Sequence, residues 1–550
     1  MYTKILVFVS ISLLVVPMAG AEPDWSREAV VPAGGRENPY GLAPAEFAQA
    51  KRDGRLHALN YPVDVSGVVL PYEPMRKLIE ADSSNPIRTL LQRLVGGVSG
   101  IKSVDTFESR FGLHSYPATE GEGAYFVPFA QGVRPEHRMG ASVFDHDLGK
   151  ALTVSCAQCH SGQLFGRRVI GLTNRFTRAN EMFVNAQKAA PRVPNWMFRE
   201  ATGATRGEVE LFENAKRAMT FIGAKKPERL GLDTSLAQVA LSLAERDEDA
   251  WATMSKPRHR HEALKKYVAD SKPAVWWNVK YKNRWLADGS IVSGNPILTN
   301  FLWNELGRGT DLHELDRWFA ANTRVIEDLT TAVFSAEAPR FTDFFQADAI
   351  PLEAAKRGQK TFERACARCH GHYEKAWDLP NANDLAPEPL RETTRVDYRT
   401  RVVNVGTDPQ RAIGMRALAQ LNRLEISRKY GIVVEVTEGY VPPPLVGIWA
   451  RWPYFHNNSA PSLCAVLTPS RQRPAKYWAR EAVNPALDFD LECNGYPSAK
   501  PPKADRDLLF DTSRPGLRNS GHDEGIFASG GKSELDPDER RDLIRFLQTL

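Results

Sequence analysis

Leu352-Glu-Ala354-Ala-Lys-Arg-Gly358-Gln-Lys-Thr-Phe362-Glu-Arg-Ala365-Cys366-Ala-Arg-Cys369-His370 is the stretch on which the reading of this chain turns. Ala354, Gly358 and Phe362 recur at four-residue spacing, which puts them on one face of an amphipathic helix. A glycine on that face lets a second helix approach closely. The segment Asp536-Pro-Asp-Glu539-Arg-Arg-Asp-Leu543-Ile544-Arg-Phe546-Leu547-Gln-Thr-Leu550 offers the partner. Asp536 suits the N-cap, Pro537 the first helical position and Glu539 the reciprocal capping position, while Leu543, Ile544, Leu547 and Leu550 form the apolar face.

The first helix runs into Cys366-Ala-Arg-Cys369-His370, and the same pattern stands far upstream as Cys156-Ala-Gln-Cys159-His160. Cys-x-x-Cys-His is the pattern of covalent c-type haem attachment. Two thiols three positions apart reach the two vinyl groups on one porphyrin edge, and the adjacent His then lies beneath the iron. A zinc ribbon split into two knuckles predicts a separation of about 15–20 residues, and a thioredoxin-like pair gives no reason for the His after both pairs. The expectation is two covalent haems, held by Cys156, Cys159, Cys366 and Cys369, with His160 and His370 as iron ligands.

With its paired terminal helices, the second half resembles a class I cytochrome c domain. That resemblance implies a distal iron ligand in the loop before the last helix, here Gly521-His522-Asp-Glu-Gly525, and no Met follows Met415. His522 is the distal ligand so implied, giving bis-histidine ligation with His370. A lone His in such a loop is also an ordinary polar residue. The first site has no matching frame: Phe144 to Ser155 shows no Gly-x-x-x-Phe helix, and no distal ligand is evident. A vacant sixth position is what a haem needs to bind peroxide or dioxygen, whereas a six-coordinate haem suits electron transfer.

The chain has 550 residues, 42% hydrophobic and 25% charged, the composition of a multidomain globular protein. A net charge of +5, with no block of like charges, gives no reason to expect a nucleic-acid partner. Lys4, the apolar run Ile5 to Val16 and the small residues Ala19 and Ala21 read as a secretory signal over residues 1–21. An exported protein, periplasmic or secreted, is expected, without a membrane anchor in the mature chain. Cys464 and Cys493, the thiols left after haem attachment, would then pair as a disulfide.

Residues 22–130 read as a wrapping extension with helical patches at Pro44–Arg55 and Pro86–Leu94, 131–345 as a first haem domain with a long insertion, and 346–550 as a second cytochrome c domain. Helical patterning in the insertion covers Gly207–Met219, Ser235–Glu248 and Leu312–Asn322. The expected fold is therefore mainly α, two class I cytochrome-c-like haem domains with long helical and loop insertions. The insertion carries Trp276-Trp277-Asn-Val-Lys280-Tyr-Lys282 and Phe301-Leu-Trp303. Such dense aromatics serve as core, as an apolar distal pocket or as an electron relay between haems.

Tyr440-Val-Pro-Pro-Pro444-Leu-Val-Gly447-Ile-Trp449-Ala-Arg-Trp452-Pro-Tyr454-Phe-His456-Asn-Asn-Ser459-Ala-Pro-Ser-Leu463 resembles a segment of the bacterial dihaem cytochrome c peroxidase superfamily, above all its rubber-oxygenase-like branch. Asn458 stands where that segment usually has Gly. The resemblance implies a reactive haem at His160, an electron-transfer haem with two axial histidines at His370, and for His456 a supporting role beside a haem. Arg167, Arg168, Arg364 and Arg451 are candidates to pair the haem propionates.

Two function classes remain. One is an oxidoreductase that activates a small-molecule oxidant, peroxide or dioxygen, and works with an electron donor or an organic substrate. A peroxidase would use Glu120, Glu122, His137 or Glu181 as acid–base group, whereas an oxygenase would use an apolar wall of Trp276, Trp277 and Phe301. The other class is a non-enzymatic electron-transfer cytochrome with both haems six-coordinate.

Overall fold

A computed structural model describes residues 23–25, 36–80, 85–95, 103–244, 246, 268–502 and 505–550. The expected export signal lies outside these residues. Helices predominate, and strands pair only in two- and three-stranded sheets. Most expected helices form close to their predicted ends: Pro44–Leu59 (α1), Pro86–Val95, Arg206–Met219, Ser235–Ala244 (α2) and Leu312–Ala321. Among the described residues, no helix is long and apolar enough to cross a membrane.

The N-terminal segment is built into the main core. Helix α1 lies along Thr323–Phe334 (α4), and at their closest approach a Cβ on Gly54 would stand 2.0 Å from the Asp328 carbonyl oxygen. Only a residue without a side chain lets the two backbones meet there. Tyr61, just past α1, gives its hydroxyl to Glu305 on the helix Pro296–Gly307 (α3). The extension is thereby fixed to the insertion between the two Cys-x-x-Cys-His motifs.

The first motif corrects an expectation, because it does not sit in a class I cytochrome frame. Ahead of it, Ala141–His146 (β2) and Gly149–Val154 (β3) form an antiparallel hairpin, with the short strand Leu70–Pro71 (β1) on the other edge of β3. Behind it, Ser161–Leu164 (β4) pairs with Arg167–Ile170 (β5). The β4–β5 loop is Phe165-Gly166, both at positive φ (48° and 88°), the requirement of the two-residue turn that suits strand twist. Cys156 opens a short 3-10 turn, Cys156–Gln158, between the hairpins, and Cys159 follows as its cap.

The second motif has the expected frame. Leu352–Ala365 (α5) carries Cys366 at its end and crosses Pro537–Leu547 (α6). A Cβ on Gly358 would lie 2.0 Å from the Asp542 carbonyl oxygen, so the glycine sets the spacing of the helices. Phe362 and Phe546 pack beside the crossing with ring centres 5.2 Å apart. Helix α6 starts with the predicted capping box: the Asp536 carboxylate accepts from the Glu539 backbone N–H at 2.8 Å, and the Glu539 carboxylate accepts from the Asp536 N–H at 3.1 Å. Cys464 and Cys493 are joined as a disulfide, their Cα atoms 4.9 Å apart.

Candidate haem sites

At the first motif, the His160 and Cys159 N–H groups donate to the Cys156 carbonyl at 3.0 and 3.2 Å, which turns both cysteines and the imidazole toward one cavity. The Asn174 amide donates to the Gln158 carbonyl at 2.7 Å and holds the turn from behind. His160 Nδ1 lies 2.9 Å from the Ala274 carbonyl, an arrangement that fixes the ring and leaves Nε2 free. Burial lowers the imidazole pKa, favouring the neutral form that a metal ligand requires.

The second motif repeats the arrangement on a helical frame. The His370 N–H donates to the Cys366 carbonyl at 3.0 Å, and Nδ1 lies 2.8 Å from the Pro443 carbonyl. His522 faces it. The two rings are 6.1 Å apart between centres and inclined at 62°. A metal–nitrogen bond of about 2 Å plus about 1 Å from nitrogen to ring centre places two trans imidazoles about 6 Å apart, so an iron fits between them. His522 takes a left-handed φ of 55° after Gly521 at 70°. Its N–H donates to the Val405 carbonyl at 2.7 Å, and the Arg473 guanidinium grips the same loop through the Gly521 carbonyl at 2.7 Å.

Both motifs line one cavity of about 520 Å³. His160, His370, His456 and His522 line it, and among its described lining residues there is no Met. His456 lies flat on Tyr440, with ring centres 4.2 Å apart, and burial drives its pKa down to about 3. Trp276 reaches the cavity, 6.0 Å from the His160 ring. Trp277 turns the other way: it is fully buried in the core and its indole N–H donates to the Val446 carbonyl at 2.9 Å. It is therefore not part of the cavity wall. Phe301 likewise packs into the core, against Tyr61, Trp318 and Phe319.

The expected acid–base residues stay out of the lining. Glu120 pairs with Arg52 and Glu181 with Arg178, while His137 packs by Tyr116 and Glu122 is exposed. Of the four arginines proposed for propionates, Arg451 lines the cavity. Arg167 lies over the rings of Tyr125 and Phe344, Arg168 is held by Ser115 and Gln163, and Arg364 pairs with Glu539 on the surface.

The donor set fits haem better than the competing chemistries. Among the described residues, no three His, Cys, Asp or Glu side chains gather as a metal site, so the two Cys pairs are not halves of a zinc ribbon. Each pair is unbridged, and burial pushes the Cys156 thiol up to about 11 and those of Cys159 and Cys366 to about 12. A redox-active dithiol requires the opposite shift. Lys272, Lys282, Arg308, Arg368, Arg411 and Arg451 line the cavity with Asp233 as the single carboxylate among its described lining residues; Arg308 and Arg411 are paired with the buried Glu305 and Asp288, and the cationic excess left by the others suits propionate-bearing groups. Apart from Arg451, the lining cations escaped sequence reading. Their charges are ordinary in sequence, and tertiary structure alone brings them together.

Residues 439–479 match the family described as RoxA-like, cytochrome c-like, and this indicates a c-type cytochrome, with its covalently bound haem. The matched segment carries His456, Cys464 and Arg473. The uncharacterized protein y4iM of Sinorhizobium fredii is 32% identical over 220 residues, covering 36% of this chain and 49% of that protein. The uncharacterized protein y4iJ of the same organism is 33% identical over 119 residues, covering 21% and 19%. The chain thus spans about half the length, or less, of these curated relatives.

Proposed function

We propose that this chain is an exported dihaem c-type cytochrome with oxidoreductase activity. Its haem at His160 is open to a small oxidant, peroxide or dioxygen, and its haem at His370 and His522 is closed and passes electrons. The observation that carries this reading is the asymmetry of the cavity. His370 has an opposing imidazole at the separation an iron requires, whereas the ring packed beside His160 is that of Trp276, and His456, the remaining His of the described lining, lies stacked on Tyr440.

When bound, an open haem supplies a ligand position and a redox centre, and a bis-histidine haem supplies a redox centre alone. The residues of the chain set those conditions. Cys156 and Cys159 would tether the first group and Cys366 and Cys369 the second. The carbonyls of Ala274 and Pro443 orient His160 and His370 as neutral ligands. Trp276, beside His160, and Val239, Ile297 and Trp303 of helices α2 and α3 supply apolar parts of the cavity wall. With the four sequence-expected acid–base residues outside the lining, none of them supplies a peroxidase-type acid–base group to this cavity.

The test has two parts. Denatured holoprotein should retain its Soret band and carry two haem masses per chain, and EPR of the oxidised protein should show one low-spin bis-histidine haem and one haem of different coordination. A single haem, or two identical low-spin signals, would overturn the proposal.

A further inference from the structure

Between the two motifs the cavity wall gathers three cations that lack carboxylate partners. Lys272 donates from Nζ to the carbonyls of Pro453 (2.6 Å) and Arg451 (3.3 Å). The Arg451 guanidinium donates to the Pro444 carbonyl at 3.0 Å, and its Nε, buried, has no partner. Lys282 faces the cavity and makes no side-chain hydrogen bond or ion pair among the described residues. The nearby carboxylate, Asp288, is fully buried and already holds Arg411 at 3.2 Å. Arg451 lowers the pKa of both lysines, after the larger effect of burial. Unpaired cations at such positions are costly unless an anion completes them.

Their position relates the cluster to both sites. Lys272 stands two residues before Ala274, whose carbonyl orients His160, and Arg451 reaches Pro444, the neighbour of Pro443 that orients His370. The two backbone segments are also tied directly, since the Asn278 amide donates to the Pro444 carbonyl at 3.0 Å.

We infer that Lys272, Lys282 and Arg451 form one shared anion site that takes carboxylates from both haems and so couples their reduction. The inference rests on the dihaem reading above. A positive charge shared in this way stabilises the reduced form at either site, and removing it disfavours reduction at both. The three side chains are positioning groups, and the expected signature is a change in two potentials from one substitution.

Potentiometric titration of holoprotein, followed by the absorption of each haem, tests this with Lys282→Met and Lys282→Arg. Lys282→Met should shift both reduction equilibria toward the oxidised form by about tenfold, which is 59 mV for a one-electron couple, at unchanged haem content. Lys282→Arg, which keeps the charge, should titrate like the unsubstituted protein. A shift confined to one haem, or none, overturns the shared site while leaving the dihaem reading intact. A protein with one haem overturns the underlying reading instead. If Lys282→Met loses haem, Lys282→Gln provides the same comparison through its polar tip, and loss of haem in both but not in Lys282→Arg supports the charge requirement.

Discussion

Gly358→Ala separates helix propensity from helix packing within the second haem frame. In an exposed helix interior this change favours folding by about 1 kcal/mol, because alanine is the better helix former. Here the new Cβ would lie 2.0 Å from the Asp542 carbonyl oxygen and 2.9 Å from the Leu543 nitrogen. Neither backbone atom can turn aside as a side-chain tip would, so α5 and α6 must move apart by more than 1 Å to reach ordinary contact of about 3.5 Å. Phe362, Leu543 and Phe546, all fully buried, lose contact along the seam. Overpacking of this kind costs about 1–3 kcal/mol, and the seam losses add to it, so the net effect is a destabilisation of about 2 kcal/mol despite the propensity gain. Thermal unfolding of the holoprotein should show a midpoint about 2 °C lower, because the unfolding entropy of about 2.1 cal/mol/K per residue is summed over the whole chain. Gly358→Val should do worse. A midpoint equal to or above that of the unsubstituted protein would refute the reasoning, because it would mean that the helices do not meet at Gly358.

Three further outcomes are expected. Replacing both Cys464 and Cys493 by Ala opens a loop closed across a separation of 29 residues, and denaturant titration should show a loss of roughly 3–4 kcal/mol; unchanged stability contradicts this. His522→Ala should convert the low-spin haem to a form that binds added imidazole, whereas His456→Ala, which removes the ring stacked on Tyr440, should leave it low-spin; the reverse result in EPR would transfer the ligand role. Asp270 is buried, its Oδ1 has no partner, and desolvation pushes its pKa up to about 7. An acid raised in the folded state contributes stability that is lost as pH rises from about 4 to about 7. Asp270→Asn should therefore flatten the pH dependence and stabilise the protein above pH 7 by on the order of 2 kcal/mol, measurable by denaturant titration at pH 5 and pH 8.

The second site was legible because its signals are local. Four-residue spacing across Gly358 and Phe362, the capping box of Asp536 and Glu539, and Cys366 to His370 each determine structure within a few turns of chain. The first site was legible only as a motif. Its frame is two short hairpins, and the Phe165-Gly166 turn is weak in sequence because a left-handed Phe is unusual and strands of four residues carry little alternation. Trp276 and Trp277 are adjacent and look equivalent, yet the 3-10 turn they open sends one ring to the cavity and the other into the core. Lys272 and Lys282 lie ten residues apart in one segment, Arg451 comes from another far along the chain, and no sequence pattern links them. Ala274 and Pro443 act through backbone carbonyls, which side-chain identity does not reveal.

The His160 and His370 sites are expected to differ in openness, and ligand titration tests this most directly. Cyanide added to the oxidised holoprotein, and carbon monoxide to the reduced, should each bind one haem per chain, with the bis-histidine signal of the His370 haem unchanged at saturation. Binding at neither haem in either oxidation state, or displacement of His522 from the second haem while the first stays unliganded, would contradict the account.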